Sequence, residues 1–343
     1  MLNLDTQNLK NKKNLLAFSA GVDSSALFFL LLEHGISFDI AIVNYQTRPN
    51  SDTEEAHAKA LAKKHKCFCH SIKAPHFHTN FEKQARDFRY EFFESLIRLE
   101  GYDTLLTAHQ LNDQLEWLLM RLSKGAGVSE LIGLEPVTDK EDYTLVRPLL
   151  GYSKEELLAY LQQNNYPYFV DQSNQDEKYE RNQFRKQFSD ALMIQYKEGI
   201  RRSIDYLRKD KIILESHFET LHTNKQLVII KLHNTESKTK ATDLTLKKLG
   251  YLLSAKQRQE IDKETSLVIG GTWVVETHHD LLYIAPYVDM TMPKYFKEIC
   301  RKHHIPKKIR PYLLQEDIDP KFLIPNFYPC LPKGALSCTP AFF

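Results

Sequence analysis

The sequence predicts an α/β protein, a doubly wound, mostly parallel sheet followed by a smaller C-terminal α+β domain. Three observations carry that expectation. Short apolar runs alternate with helical patterns through the first 125 residues or so, the signature of a parallel sheet with helices on both faces. A phosphate-loop-like turn follows the first of those runs. Beyond about residue 216 the pattern changes to short strand candidates.

Taken in order, Asn14 to Phe18 is the first strand candidate, and Ser25 to Leu32 reads as a buried helix ending near Gly35. Phe38–Asn44 is a second strand. Thr53–Lys64, polar and Ala-rich, is a helix, and Cys67–Ile72 a third strand, with Cys67 and Cys69 expected on one face as buried small hydrophobes. Phe81–Leu99 shows helical spacing, with Ala85, Phe88, Phe92, Leu96 and Leu99 on one stripe. Thr104–Ala108 is the fourth strand, followed by a helix through Leu122. Ser153 and Glu156 form a capping box opening another helix. A basic helical segment containing Arg181, Arg185, Arg201 and Arg208 leads to the boundary, placed near residue 215, which gives domains 1–215 and 216–343. Leu227–Leu232, Leu267–Ile269, Thr272–Glu276 and Leu281–Ile284 are strand candidates in the second, with a tight hairpin at Gly270–Gly271.

Composition narrows the class. At 343 residues, 42% hydrophobic and 26% charged, the chain is globular and long enough for two domains. The polar start MLNLDTQNLKNKKN lacks a secretory signal, and no apolar run reaches membrane-spanning length. Five cysteines without a C-x-x-C pair fit a reducing compartment. The expectation is a cytoplasmic protein with no membrane partner; a homodimer is left open. Residues 1–200 hold 23 basic and 28 acidic side chains, net −5, while residues 201–343 hold 23 and 16, net +7. A basic half fits a polyanionic partner, and equally an uneven solvated surface.

The sharpest motif is Ser19-Ala20-Gly21-Val22-Asp23-Ser24-Ser25, between the first strand and first helix. Small residues there let the backbone approach phosphates, and the N–H groups opening the helix donate to them. Asp23 can hold Mg²⁺ against the phosphates of ATP. The lysine of a Walker A loop is missing, so the turn suits pyrophosphate as a leaving group better than γ-phosphoryl transfer. A plain capped turn has the same outline.

Asp113 and Glu116 lie three apart and Arg181 and Arg185 four apart, so each pair shares one helical face. The acidic pair is either a reactive set or an exposed face; the basic pair is either a phosphate clamp or solvated surface. Asn44 and Arg48 end the second strand, where nucleotides meet such folds, and His109 follows the fourth. Arg86 and Arg89 either reach the nucleotide or pair with nearby acids.

The loop resembles the S-G-G-x-D-S turn of the PP-loop ATP pyrophosphatases. Further blocks are similar to the tRNA(Ile)-lysidine synthetases: Ala85-Arg86, Arg89 to Phe93, Thr107-Ala108-His109 through Asp113-Gln114 and Glu116, Lys124 to Val128, Arg147 to Leu150, Asp171 to Asn174, and Arg181-Asn182 with Arg185. Their order and spacing agree over roughly residues 14–190. A weaker echo spans Tyr295 to Glu298, Ile305-Pro306 and Arg310.

The resemblance implies a PP-loop ATPase-type fold and an ATP-dependent ligase. Its substrates would be free L-lysine and the isoleucine tRNA with a CAU anticodon. ATP would adenylate the C2 carbonyl oxygen of the wobble cytidine, and lysine would then displace AMP. It implies Asp23, Asp113 and Glu116 as catalytic groups and Asp23 and Asp113 as Mg²⁺ ligands. Ser19 to Ser25, Asn44, His109, Arg181 and Arg185 would bind ATP, and the C-terminal region, including Lys307, Lys308 and Arg310, would bind tRNA. Ala20, Tyr45, Gln110 and Asn112 depart from the family pattern; if position 20 needs φ > 0, its Cβ costs about 1 kcal/mol. Two alternatives stand beside this reading: a tRNA thiolase, disfavoured by the missing C-x-x-C, and a non-catalytic tRNA-binding protein.

Overall fold

The computed structural model describes residues 2–47, 50–77, 79–170 and 180–323. The chain divides between Lys211 and Ile212 into two compact units.

The first unit is built on β1 (Asn14–Ala17), α1 (Val22–Glu33), β2 (Phe38–Asn44), α2 (Ser51–His65), β3 (Cys69–Lys73), α3 (Phe81–Glu100), β4 (Thr104–Leu106) and α4 (Leu111–Leu122). A short α5 (Val128–Leu131), β5 (Val137–Asp139), β6 (Thr144–Val146), α6 (Lys154–Gln163), α7 (Glu180–Phe184) and α8 (Asp190–Glu215) follow. The sheet runs β3-β2-β1-β4-β6-β5. All its pairings are parallel except β5 with β6.

Strand order reverses beside β1, since β2 lies on one side and β4 on the other. Crevices at the carboxyl ends of such strands are where open α/β sheets bind ligands. Leu15, Leu16, Ile40, Leu105 and Leu106 are buried; Leu15 and Leu105 pack with Phe93 and Ile97 of α3, while α1, with Ala26 through Leu31 all buried, packs against Leu16, Ile40 and Leu106. That continuous burial explains a helix apolar on every side.

Three local expectations change. The buried residues of α3 are Ala85, Phe93, Leu96 and Ile97, while Leu99 is 80% exposed; the buried face ends on Leu96 and Ile97, and the last turn of the helix faces solvent. β3 begins at Cys69 rather than Cys67, because Lys66 takes a left-handed conformation that ends α2 (φ 58°) and turns the chain; both cysteines are half-buried and pack against the same core. The strand expected over Thr104–Ala108 stops at Leu106, and Thr107 to Gln110 link it to α4.

The second unit is a five-stranded antiparallel sheet, β7 (Phe218–Asn224), β8 (Leu227–Leu232), β9 (Ser266–Ile269), β10 (Trp273–His278) and β11 (Leu281–Pro286), ordered β7-β8-β11-β10-β9. Helices α9 (Lys238–Lys248), α10 (Ala255–Lys263), α11 (Lys294–Lys302) and α12 (Arg310–Gln315) complete it. Alternate residues of β8 and β11 feed two separate cores. Leu227, Ile229 and Tyr283 pack with Phe296 and Leu313, and Val228, Ile230 and Ile284 with Leu246 and Ile261. Gly270 and Gly271, both at positive φ, turn β9 into β10.

Candidate nucleotide site

The loop after β1 leaves the sheet at its switch point. Gly21 caps α1 and Asp23 lies in that helix's first turn, where the opening N–H groups have no intrahelical partners. The serines brace the turn: the Ser19 N–H donates to Ser24 Oγ (3.2 Å), the two hydroxyls meet at 3.1 Å, and Ser24 donates to the Gly21 carbonyl (3.3 Å). Ser25 is buried in the helix interior. Ala20 sits at φ 59°, and its carbonyl accepts from the Phe169 N–H at 2.9 Å. The left-handed turn therefore exists, with a Cβ in it.

A cavity of about 200 Å³ opens beside this loop. Phe18, Ser19, Asp23, Ser24, Tyr45, Arg89, Tyr90, Phe93, Thr107 and His109 are among its walls. Its walls combine aromatic rings with polar and charged side chains. The Thr107 hydroxyl lies 3.0 Å from His109 Nδ1. Burial, aided by Arg147, Arg181, Arg86 and Arg89, pushes the His109 pKa down to about 3, so its imidazole is neutral. Burial, with the charge of Asp113, pushes Asp23 up to about 7, and its Oδ1 is buried with no hydrogen-bond partner.

Asp113 and Glu116 reach one face of α4 as their spacing requires, and there they meet Arg181 and Arg185. Arg181 donates to Asp113 and, at 2.7 Å, to Glu116. Arg185 donates to Glu116 at 2.6 and 3.1 Å. Glu116 is fully buried. Burial opposes both guanidinium charges, but the carboxylates outweigh it and hold them above their usual range. Asp113 also accepts from the Gln110 N–H (2.9 Å), closing a capping box in which the Gln110 side chain accepts from the Asn112 N–H.

Asn44 is not brought into the cavity. Its amide donates to Asp52 and Glu55 at 2.8 Å each, and its carbonyl accepts from the Gln46 N–H; it braces the end of β2. The cavity wall there is Tyr45, whose hydroxyl donates to the Ala85 carbonyl. Arg48 and Asp171 to Asn174 lie outside the described residues. Lys154 and Asp190 border the loop from another side and were not singled out from sequence. The Ser153–Glu156 box was a usable signal for Lys154, because it starts the helix that follows β6 at the same edge of the sheet.

Among the described residues no group of three or more His, Cys, Asp or Glu side chains makes a metal cage. Mg²⁺ at phosphate sites ordinarily uses one or two carboxylates plus substrate oxygens. The unpartnered Asp23 oxygen fits that role; Asp113 can join it only by leaving Arg181.

The parallel sheet, its switch-point loop and the cavity beside it define a PP-loop nucleotide-binding domain, and the PP-loop domain family matches residues 2–192. A U34-tRNA thiolase, NcsA from Methanococcus maripaludis, shares the fold with a TM-score of 0.51 at 17% identity, over 62% of this chain and 75% of that one. A tRNA(Ile)-lysidine synthase from Campylobacter jejuni is 44% identical over 91% of this chain and 95% of its own. Those from Helicobacter hepaticus and Helicobacter pylori are 41% and 40% identical, over 88% and 90% of this chain and 82% and 91% of theirs. The chain belongs to the tRNA(Ile)-lysidine synthase family.

Proposed function

We propose that the protein joins free L-lysine to C2 of the wobble cytidine in the CAU-anticodon isoleucine tRNA, as an ATP-dependent ligase. The observation that carries the reading is the loop at the switch point, opening onto a cavity beside a carboxylate with one unpartnered oxygen, in a chain that spans 95% of the length of the Campylobacter jejuni lysidine synthase.

The cytosine O2 attacks the α-phosphorus of ATP, the bond to the β-phosphate oxygen breaks, and pyrophosphate leaves. The lysine ε-amine then attacks C2, the C2–O2 bond breaks, and AMP leaves. The amine must shed a proton, and its free pKa is about 10.4. A carboxylate beside the amine can position it and accept that proton. The helix N-terminus after the loop steadies the phosphates, and Arg89 with neutral His109 faces the nucleotide. Glu116 and Asp113 hold Arg181 and Arg185 beside the reacting groups. Asp23 would hold Mg²⁺, and the ion, when bound, neutralises charge on the leaving pyrophosphate.

Within the second unit, Lys308 donates to the Ser266 carbonyl and Arg310 to the Ile305 carbonyl. Lys307, exposed, is the freer cation of the three for tRNA phosphate. A cytoplasmic setting follows from the proposed tRNA substrate; no helix among the described residues is long and apolar enough to cross a membrane.

Incubation with ATP, Mg²⁺, labelled lysine and the cognate tRNA should transfer label to the RNA and add lysine to one cytidine by mass. Transfer confined to tRNAs without the CAU anticodon, or sulfur incorporation instead, would refute the proposal.

A further inference from the structure

A second cavity, about 370 Å³, borders the loop and is lined by Asp23, Gln110, Asn112, Lys154, Arg185 and Asp190. Asp23 also lines the nucleotide cavity. The charges around this second space do not cancel pairwise. Arg185 is committed to Glu116. Among the described residues, neither the Lys154 ammonium nor the Asp190 carboxylate has an ion-pair partner, and Asp23 keeps a buried oxygen without one. Beyond the committed Arg185, two carboxylates and one ammonium therefore line the space, together with the side-chain amides of Gln110 and Asn112.

The position of Lys154 is well fixed. Its backbone N–H donates to Asn112 Oδ1 (3.2 Å), and it opens α6 inside the Ser153–Glu156 capping box. Glu156 is gripped by Arg201 of α8 through two bonds of 2.9 and 2.7 Å. Lys154 thus starts from a backbone tied to both α4 and α8.

Free lysine at neutral pH carries the complementary set: two ammonium groups and one carboxylate. A triphosphate carries the opposite balance and would be repelled by Asp190. Resting on the function proposed above, we infer that Lys154 binds the α-carboxylate of the substrate lysine, making it the residue that selects an amino acid over a plain diamine. Asp190 then faces the α-ammonium, and the ε-amine extends toward Asp23 at the wall shared with the nucleotide.

The test is steady-state kinetics of wild type, Lys154→Met and Lys154→Arg. Cadaverine, which is lysine without its carboxylate, serves as a competitive inhibitor against lysine. Losing one charge-assisted hydrogen bond should raise the lysine KM by about tenfold or more in Lys154→Met. The cadaverine inhibition constant should hold, the KM for ATP should stay within about twofold of wild type, and Lys154→Arg should recover most of the lysine affinity. An unchanged lysine KM overturns the assignment. So does parallel weakening of lysine and cadaverine, or a rise confined to the ATP KM, which would place Lys154 on the phosphates. Wild-type protein that releases no pyrophosphate with the cognate tRNA would instead overturn the proposed function itself, a result visible before any variant is made.

Discussion

Asp23 in the parallel-sheet unit and Glu276 in the antiparallel unit are both acids withdrawn from water, and their surroundings differ. Glu276, 7% exposed on β10, has one oxygen accepting from the Ser266 hydroxyl and the other from the Lys308 N–H, each at 2.8 Å. Asp23 leaves one buried oxygen without a partner, and burial with the nearby Asp113 charge pushes its pKa up to about 7. A satisfied buried acid holds two segments together; an unsatisfied one is held in readiness for something that is not part of the chain.

Asp23→Ala offers the most severe challenge to that contrast. Turnover should fall by about 10²-fold or more, yet metal-free protein at pH 8 should melt no lower than wild type. The sign follows from the raised pKa: this carboxyl adds stability while protonated, and the contribution is lost as pH rises through about 7. A marked drop in melting temperature with turnover intact would make Asp23 structural. Glu276→Ala should do the reverse. It strands the Ser266 hydroxyl and the Lys308 N–H, costing about 1–3 kcal/mol in chemical denaturation, with the KM for ATP unmoved.

His109 sharpens the contrast by pH. Its folded pKa lies near 3, below the ordinary 6.5, chiefly because it is buried. The neutral ring's contribution is complete above about 6.5 and is lost as pH falls toward 3. His109→Asn should flatten that acid limb of a stability–pH curve; an unchanged slope would assign the acid lability elsewhere. Ala20→Gly should have the smallest effect. Relief of the positive φ is worth about 1 kcal/mol, and loss of a buried methyl costs about 0.8 kcal/mol. Denaturant midpoints should nearly coincide, and a loss above about 2 kcal/mol would mean the methyl packs more tightly than its strain costs.

Much of the site's frame was legible because local patterns suffice for it. Phe38–Asn44 and Leu227–Leu232 occupy their expected spans to the residue. The loop at Ser19, the helix face shared by Asp113 and Glu116, and the Ser153 capping box are short-range features. The three-residue strands β5 and β6 escaped because so short a run has no measurable period.

By itself, then, the sequence determined the alternation of elements, the place of the phosphate turn and which carboxylates share a face, all properties of chain segments a few residues long. Only the tertiary structure decided which charges meet. Arg181 and Arg185 lie 65 to 69 residues from the acids they grip, and Asn44 turns to Asp52 and Glu55 rather than to the cavity. Lys154 reaches the loop because β6 and α6 end and begin at its edge of the sheet. Such contacts depend on how distant segments pack, and no local spacing specifies them.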